Sequence, residues 1–415
     1  MCKTETCLAR QAICEDEYCT GCYACINACH HGAIAASTDD RGFYRPQIHE
    51  DLCVNCGLCS NACPVLTPPK SAEFHQKAYV CKNTSDGLRR VSSSGALFSA
   101  LADVIHSRGG VVYGVKMDSS IVAVFSSSGT EKGIESFRGS KYVQAYVGTI
   151  FRDVKKSLIS GIPVLFTGTP CQIAGLKSYL NKDYSNLYTL DFLCHGVPSP
   201  QTFSKNIKEW EQKEQDEIVS YHFRDKLKSW NLFNTRIVFR NHKIITAFSR
   251  FQDSYYRLFL ASYGLQNACY HCLYTKRERA SDITMADYWQ KCYQLSPRKI
   301  PYDDKGLSLA IINSQKGADL FRELSSSVTS SALNYDEVVM KNKYLRTPSE
   351  KPIDNDAFWS EMMKETSIHD MASKLLPPVQ ISLTEKLVMR YGSNPFIRFI
   401  SKLEYRYYKY IARRK

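Results

Sequence analysis

From about residue 75 the apolar positions of the chain keep two alternating rhythms. Leu97, Leu101, Val104 and Ile105 recur at helical spacing, as do Ile150, Val154 and Leu158, and again Ile173, Leu176 and Leu180. Between them stand short unbroken apolar runs: Val111-Val112-Tyr113-Gly114-Val115, Pro163-Val164-Leu165-Phe166, and a third over 187–193. Their length and β-branched or aromatic content predict buried strands. Strand, helix, strand with short connections predicts an α/β domain over residues 75–320, with a mostly parallel sheet and right-handed crossovers. Arg236-Ile237-Val238-Phe239 and Ile244-Ile245-Thr246-Ala247-Phe248, joined by four polar residues, predict a hairpin inserted on that domain. Past 320 the chain turns more polar, with loop signals at Pro348, Pro352 and Pro377-Pro378, and residues 321–415 are expected to form a mainly helical C-terminal region.

Residues 1–70 carry neither rhythm and are organised by cysteine instead. Two matched runs appear, Cys19-x-x-Cys22-x-x-Cys25-x-x-x-Cys29 and Cys53-x-x-Cys56-x-x-Cys59-x-x-x-Cys63-Pro64. This is the spacing of a two-cluster bacterial ferredoxin, in which three cysteines of each run hold one 4Fe-4S cube and the fourth crosses to the other. Cys19, Cys22, Cys25 and Cys63 are therefore assigned to one cluster, and Cys53, Cys56, Cys59 and Cys29 to its neighbour. A tight loop of this kind supplies thiolates from several directions and aims backbone N–H groups at anionic sulfides. Zinc sites use separated cysteine pairs and disulfides need an oxidising compartment, so the spacing favours two cubes over either. The first run ends Cys29-His30 where the motif prefers Cys-Pro. Gly42-Phe43-Tyr44-Arg45-Pro46-Gln47-Ile48 reads as a short strand between the loops, giving an α+β ferredoxin-like dicluster domain closed by the stiff stretch from Pro64 to Pro69.

Composition narrows the setting. With 415 residues the chain is long enough for two or three domains, and it holds 17 cysteines. No apolar stretch reaches the length of a membrane span and the first residues lack a signal-peptide pattern, so a soluble, cytoplasmic protein is expected, with cysteines serving as metal or redox groups. Cys2, Cys7 and Cys14 read as spare thiols of a flexible leader. A formal charge of +13 without any nucleic-acid-binding signature leaves no expectation of nucleic acid. Part of the excess sits in the C-terminal tail, where Arg398, Lys402, Arg406 and Lys409 interleave with apolar and aromatic residues. Such a tail either lies on an anionic membrane surface, making the protein membrane-peripheral, or packs as a terminal helix on the protein itself.

A second cysteine constellation lies in the α/β part. Two predicted strands run into polar turns, Thr167-Gly168-Thr169-Pro170-Cys171-Gln172 and Cys194-His195-Gly196-Val197-Pro198, which belong at the carboxyl edge where ligands bind in open α/β sheets. Folding Cys269-x-x-Cys272 over them brings four thiols together. Four thiolates suit a third 4Fe-4S cluster or structural zinc; the alternative is that Cys171 and Cys194 are core thiols and only the C-x-x-C is special. The turn Ser92-Ser93-Ser94-Gly95 before a helix offers N–H groups and hydroxyls to a phosphate, although such turns also cap ordinary helices. Gly139-Ser140-Lys141-Tyr142 either lines the same pocket or is a surface loop. His195 and Lys141 are candidate proton donors or anion contacts, and His195 equally suits a capping or core role.

Taken together, the dicluster run, Gly139-Ser140-Lys141-Tyr142-Val143-Gln144, Gly168-Thr169-Pro170-Cys171-Gln172, the stretch 191–200 and Cys269-x-x-Cys272 leading to the stretch 280–289 resemble the coenzyme F420 hydrogenase/dehydrogenase beta-subunit family over roughly residues 15–300. The resemblance implies a third 4Fe-4S cluster and FAD at the strand ends, with Ser93, Ser94, Gly95, Ser140, Lys141, Tyr142, Thr169 and Gln172 as candidate flavin contacts. It also implies an oxidoreductase that passes electrons from the ferredoxin-type clusters through the third cluster to FAD. The final acceptor is a redox partner protein or a small molecule. The serine-glycine turn reads Ser94-Gly95-Ala96 where the family more often has paired glycines. The alternative is an electron-transfer subunit without a substrate site of its own, serving a partner enzyme.

Overall fold

The first local structure follows directly from the cysteine spacing. The computed structural model describes residues 13–69, 73–226, 229–289, 300–301 and 303–391. Strands β1 (Ile34–Thr38) and β2 (Tyr44–Ile48) form an antiparallel hairpin. Its turn closes through the Asp39 carboxylate, which accepts the Phe43 N–H at 2.8 Å, with Gly42 in the left-handed region. Short helices Ala24–Ala28 and Leu58–Asn61 carry the middle of each cysteine run.

The remaining strands are β3 (Lys77–Asn83), β4 (Val111–Met117), β5 (Ala123–Ser128), β6 (Val164–Thr167), β7 (Leu187–Phe192), β8 (Ile218–Asp225), β9 (Asn234–Phe239), β10 (Ile244–Phe248), β11 (Ile283–Asp287), β12 (Ser308–Ile312) and β13 (Val328–Leu333). Eight form one sheet in the order β13-β3-β12-β11-β7-β6-β4-β5. Only its centre is parallel: β4 with β6, β6 with β7, and β7 with β11. The four outer pairings are antiparallel, so the expectation of a mostly parallel sheet is corrected to a mixed one. The physical reason is that Ser308–Ile312, buried along its whole length, reads the same in either direction. The expected hairpin is present as β9 and β10, and β8 adds a third strand to make a separate antiparallel sheet.

A second correction concerns residues 321–415. Val328–Leu333 is the edge strand of the main sheet, paired with β3. Its exposed Thr329 and Ser330 hid the strand, because an edge needs no apolar alternation. The rest is helical as expected: the end of the helix Gln315–Glu323 precedes the strand, and Tyr335–Lys341, Asn355–Met362, Ile368–Leu375 and Leu383–Tyr391 follow it. The basic tail read as a membrane or packing element lies outside the described residues. No helix among the described residues is long and apolar enough to cross a membrane.

One buried cluster runs from Tyr23, Ile26 and Phe43 through Phe151, Ile173 and Phe203 to Phe358. The N-terminal module thus shares its core with the α/β domain. Polar clamps fix the joint. Gln144 accepts the Tyr44 N–H at 2.7 Å and donates to the Tyr44 carbonyl at 3.2 Å. The Arg152 guanidinium donates to the carbonyls of Ile26, Asn27 and Cys29 at 2.8–3.0 Å, placing a cation on the carbonyl end of the helix Ala24–Ala28.

Candidate functional site

The two cysteine loops repeat one backbone course. Gly21 and Asn55, at equivalent places in Cys19-x-x-Cys22 and Cys53-x-x-Cys56, both have positive φ, and so do Tyr23 and Gly57 one residue after the second cysteine. Alternating hand in this way turns successive N–H groups toward one centre and makes a concave anion site. The hydrogen bonds follow: N–H groups of Gly21, Ala24 and Ile26 point at the sulfurs of Cys19, Cys22 and Cys25, and those of Val65 and Leu66 at Cys63.

Cys19, Cys22, Cys25 and Cys63 line one cavity, together with Thr20, Arg45 and Pro64. Cys14 lines it too, and its thiol stands beside those of Cys19 and Cys63. The reading of Cys14 as part of a flexible leader is thereby corrected: a turn closed by Tyr18 N–H and Cys19 N–H on the Glu15 carbonyl folds it back onto the site. Cys2 and Cys7 lie outside the described residues. In the other predicted set Cys29 is buried, Cys53 and Cys59 are half-buried, and Cys56 is exposed, so this set faces the surface.

The second constellation comes together around the carboxyl ends of β6 and β7. Pro170 and a reciprocal cap between Thr169 and Gln172 start the helix Pro170–Leu180, which presents Cys171 in its first turn. Thr169 Oγ1 and Cys171 Sγ are 3.0 Å apart. Cys194 follows β7, Cys269 sits in the short helix Asn267–Tyr270, and Cys272 lies just beyond it. Burial pushes the Cys171 thiol up to about 11 and raises the other three, and neighbouring thiols add to the effect: Cys171 and Cys272 on Cys194, and all three others on Cys269. The four residues are half-buried, and thiols crowded together in this way stay protonated unless a cation takes up their charge. The Val197 N–H donates to Cys269 Sγ at 3.3 Å. Behind them Arg279, 2% exposed, pairs with Asp191 at 2.8 Å and donates to the Tyr274 carbonyl at 2.7 Å.

Four buried hydroxyls lie next to or near the candidate ligands in the chain with no oxygen or nitrogen partner among the described residues: Thr20, after Cys19; Tyr23, after Cys22; Ser60, after Cys59; and Tyr274, two residues past Cys272. A buried O–H without an acceptor costs about 1–3 kcal/mol, and an anionic cluster with sulfide lone pairs is an acceptor these positions fit. Among the described residues no three Cys, His, Asp or Glu side chains are close enough to hold a single metal ion.

A cavity of about 790 Å³, within the range of cofactor sites, opens beside the second constellation. Cys171 and Cys194 are in its wall, with Ser93, Ser94, Ser140, Lys141, Tyr142, Thr169, Gln172 and His195. Gly95 is not. A Cβ there would meet Ser308 N at 2.7 Å and the Cys81 carbonyl at 2.8 Å, so this glycine serves close packing of its turn on β3 and β12. The serine turn is held from behind: Lys226 donates to the Ser94 carbonyl at 2.7 Å, and Ser93 Oγ lies 2.9 Å from Ser140 Oγ.

The two candidate proton donors are already engaged. The Lys141 ammonium, pulled down to about 7 by burial, donates to the carbonyls of Ser136, Phe137 and Arg138 at 2.9–3.2 Å. His195 Nε2 lies 2.9 Å from the Phe259 carbonyl, which can only accept, so Nδ1 accepts from the Tyr344 hydroxyl. Burial holds its pKa down to about 4, leaving it neutral. Both residues brace the wall. Sequence reasoning missed Arg224, 4% exposed in the same wall, which pairs with Asp287 at 2.5 Å and lies over the Phe233 ring at 4.5 Å. An arginine directly after the alternating Tyr221-His222-Phe223 of β8 was the available signal.

Residues 163–336 match the family model for the C terminus of the coenzyme F420 hydrogenase/dehydrogenase beta subunit, and residues 18–66 match that of a 4Fe-4S dicluster domain. The ferredoxin-type protein NapF of Escherichia coli strains K12 and O157:H7 is 34% identical over 61 residues, 15% of this chain. The chain spans 33% of the length of these curated relatives. A solved chain from the F420-reducing [NiFe] hydrogenase complex of Methanosarcina barkeri aligns with a TM-score of 0.44 at 13% identity, covering 71% of this chain and 92% of that one.

Proposed function

We propose that this chain, in which a 4Fe-4S dicluster domain precedes a C-terminal domain of the coenzyme F420 hydrogenase/dehydrogenase beta-subunit family, is an iron–sulfur flavoprotein oxidoreductase. The observation that carries the reading is that Cys171 and Cys194 belong at once to a group of four thiols and to the wall of the cofactor-sized cavity. When bound, 4Fe-4S clusters supply one-electron steps and FAD combines them into the two-electron chemistry most organic acceptors need. The residues stand in order for such a path. Cys53, Cys56 and Cys59, with the buried Cys29 behind them, lie toward the surface; Cys19, Cys22, Cys25 and Cys63 lie inward; Cys171, Cys194, Cys269 and Cys272 come next, and the cavity last.

A cube suits Cys171, Cys194, Cys269 and Cys272 better than zinc, because thiolates gather about one ion at about 2.3 Å and no such tight group is present among the described residues. Ser93, Ser94, Ser140, Thr169 and Gln172 offer the cavity hydroxyl and amide groups for a flavin, while Lys141, Tyr142 and His195 shape its wall.

Anaerobic purification with iron, sulfide and flavin quantification tests the reading. About twelve irons and one flavin per chain are expected; about eight irons without flavin overturn it. Cys269→Ser is expected to remove about four irons, and unchanged iron means those thiols are not ligands. Turnover with a soluble donor and a small-molecule acceptor then separates an enzyme from a subunit that only relays electrons to a partner.

A further inference from the structure

A cube needs four ligands, and the inner cavity of the dicluster domain is lined by five thiols. We propose that Cys14 is a reserve ligand of this cluster, able to take the iron position of Cys19 or of Cys63.

Two observations carry it, with the cluster assignment drawn from the cysteine spacing. Cys14 lines the cavity with Cys19, Cys22, Cys25 and Cys63. Its thiol stands beside those of Cys19 and Cys63, the first ligand of one run and the crossing ligand of the other. Those two share one cluster, so a single side chain serves two of its four corners.

The segment is also built to stay there. The Glu15 carbonyl accepts Tyr18 N–H at 3.0 Å and Cys19 N–H at 3.1 Å, placing Cys14 and Cys19 at the two ends of one turn. Glu17 meets His271 Nε2 at 2.8 Å, and the Tyr18 and His271 rings pack edge to face, so the turn is pinned to the loop between Cys269 and Cys272. Ile13 is buried beside it. A side chain held this way loses little further entropy on becoming a ligand.

The exchange balances without an external reagent. The Fe–Sγ bond of Cys19 breaks, an Fe–Sγ bond to Cys14 forms, and the Cys14 proton passes to the released Cys19 sulfur. No electrons change hands.

The test uses alanine, which cannot ligate iron, in the full chain reconstituted anaerobically, with iron content and the cluster's EPR signal as readouts. Cys14→Ala alone is expected to keep the wild-type iron. Cys19→Ala is expected to keep it as well, whereas Cys14→Ala combined with Cys19→Ala loses about four irons. Cys22→Ala is expected to lose them with Cys14 intact, because the proposal gives Cys14 the positions of Cys19 and Cys63 alone. The same comparison at Cys63 provides a second pair should Cys19→Ala not fold. Equal iron loss in the single Cys19 and Cys63 variants and in the doubles overturns the proposal, as does iron loss in Cys14→Ala alone. Because the readout is the iron and EPR signal of this cluster, the comparison is separate from whether Cys269 and Cys272 hold a third cluster or the cavity a flavin.

Discussion

Gly175 presses on Cys22: a Cβ added to the glycine would meet the Cys22 Sγ at 2.8 Å and its Cβ at 3.0 Å. The glycine is one turn past Cys171 on the helix Pro170–Leu180, so one helix touches both cysteine groups. Gly175→Ala should gain about 1 kcal/mol of helix propensity and still lose stability, because the helix and the Cys22 loop, packed in one core, must part to admit the methyl. The expected outcome is a lower melting temperature together with reduced iron content. A melting temperature at or above wild type with full iron would show that the contact yields freely.

Tyr274 stands within electrostatic reach of Cys22 and Cys63 on one side and Cys171 and Cys272 on the other, with its hydroxyl buried and unpartnered among the described residues. Hydrogen bonds to cluster sulfur favour the reduced, more negative state. Tyr274→Phe should therefore keep its iron and shift the potential of one cluster downward in an EPR-monitored redox titration. Unchanged potentials would leave the tyrosine a packing residue.

Arg89, 2% exposed, meets Asp303 at 2.6 Å and the Gly306 carbonyl at 2.8 Å, fastening the segment that carries the serine turn. Burial alone would raise the Asp303 carboxyl; the hydrogen bonds and charge of Arg89 outweigh it and bring the pKa down to about 2. A carboxyl lowered from 3.8 on folding stabilises the protein above pH 3.8, and the contribution fades as pH falls through 2. Asp303→Asn should cost about 2 kcal/mol in denaturant melts at pH 7, with the difference from wild type shrinking toward pH 2. A difference independent of pH would assign the loss to packing.

Ser140 sits in the wall of the large cavity, against Ser93. Ser140→Trp should fill space the flavin requires, so the purified protein is expected to lose its flavin absorbance while its iron stays at the wild-type level. Full flavin occupancy in this variant would move the flavin site elsewhere.

Legibility in the sequence followed the strength of local signals. The cysteine runs and the βα units from Val111 to Phe192 could be read because ligand spacing and the 3.6-residue period are set by near neighbours. Strand direction could not: β11 and β12 are joined across residues whose pattern is silent about which way the chain returns. The grouping of Cys171, Cys194, Cys269 and Cys272 was legible only as a possibility, since it depends on three separate segments meeting. Arg224 and the return of Cys14 depend on tertiary packing alone, and neither leaves a periodic trace. Gly95 shows the opposite failure: a phosphate-loop composition was read where the glycine answers to the backbone of β3 and β12.

The clamps made by Gln144 and Arg152, and the core shared between the two parts of the chain, have a mechanical consequence. A tethered electron carrier would swing between a donor and its own catalytic partner. Here the dicluster domain is a stationary terminal, with its fixed contact at Cys56 open to solvent. On the proposed reading, whatever supplies or collects electrons docks at that face, and exchange does not depend on a hinge between the two parts of the chain.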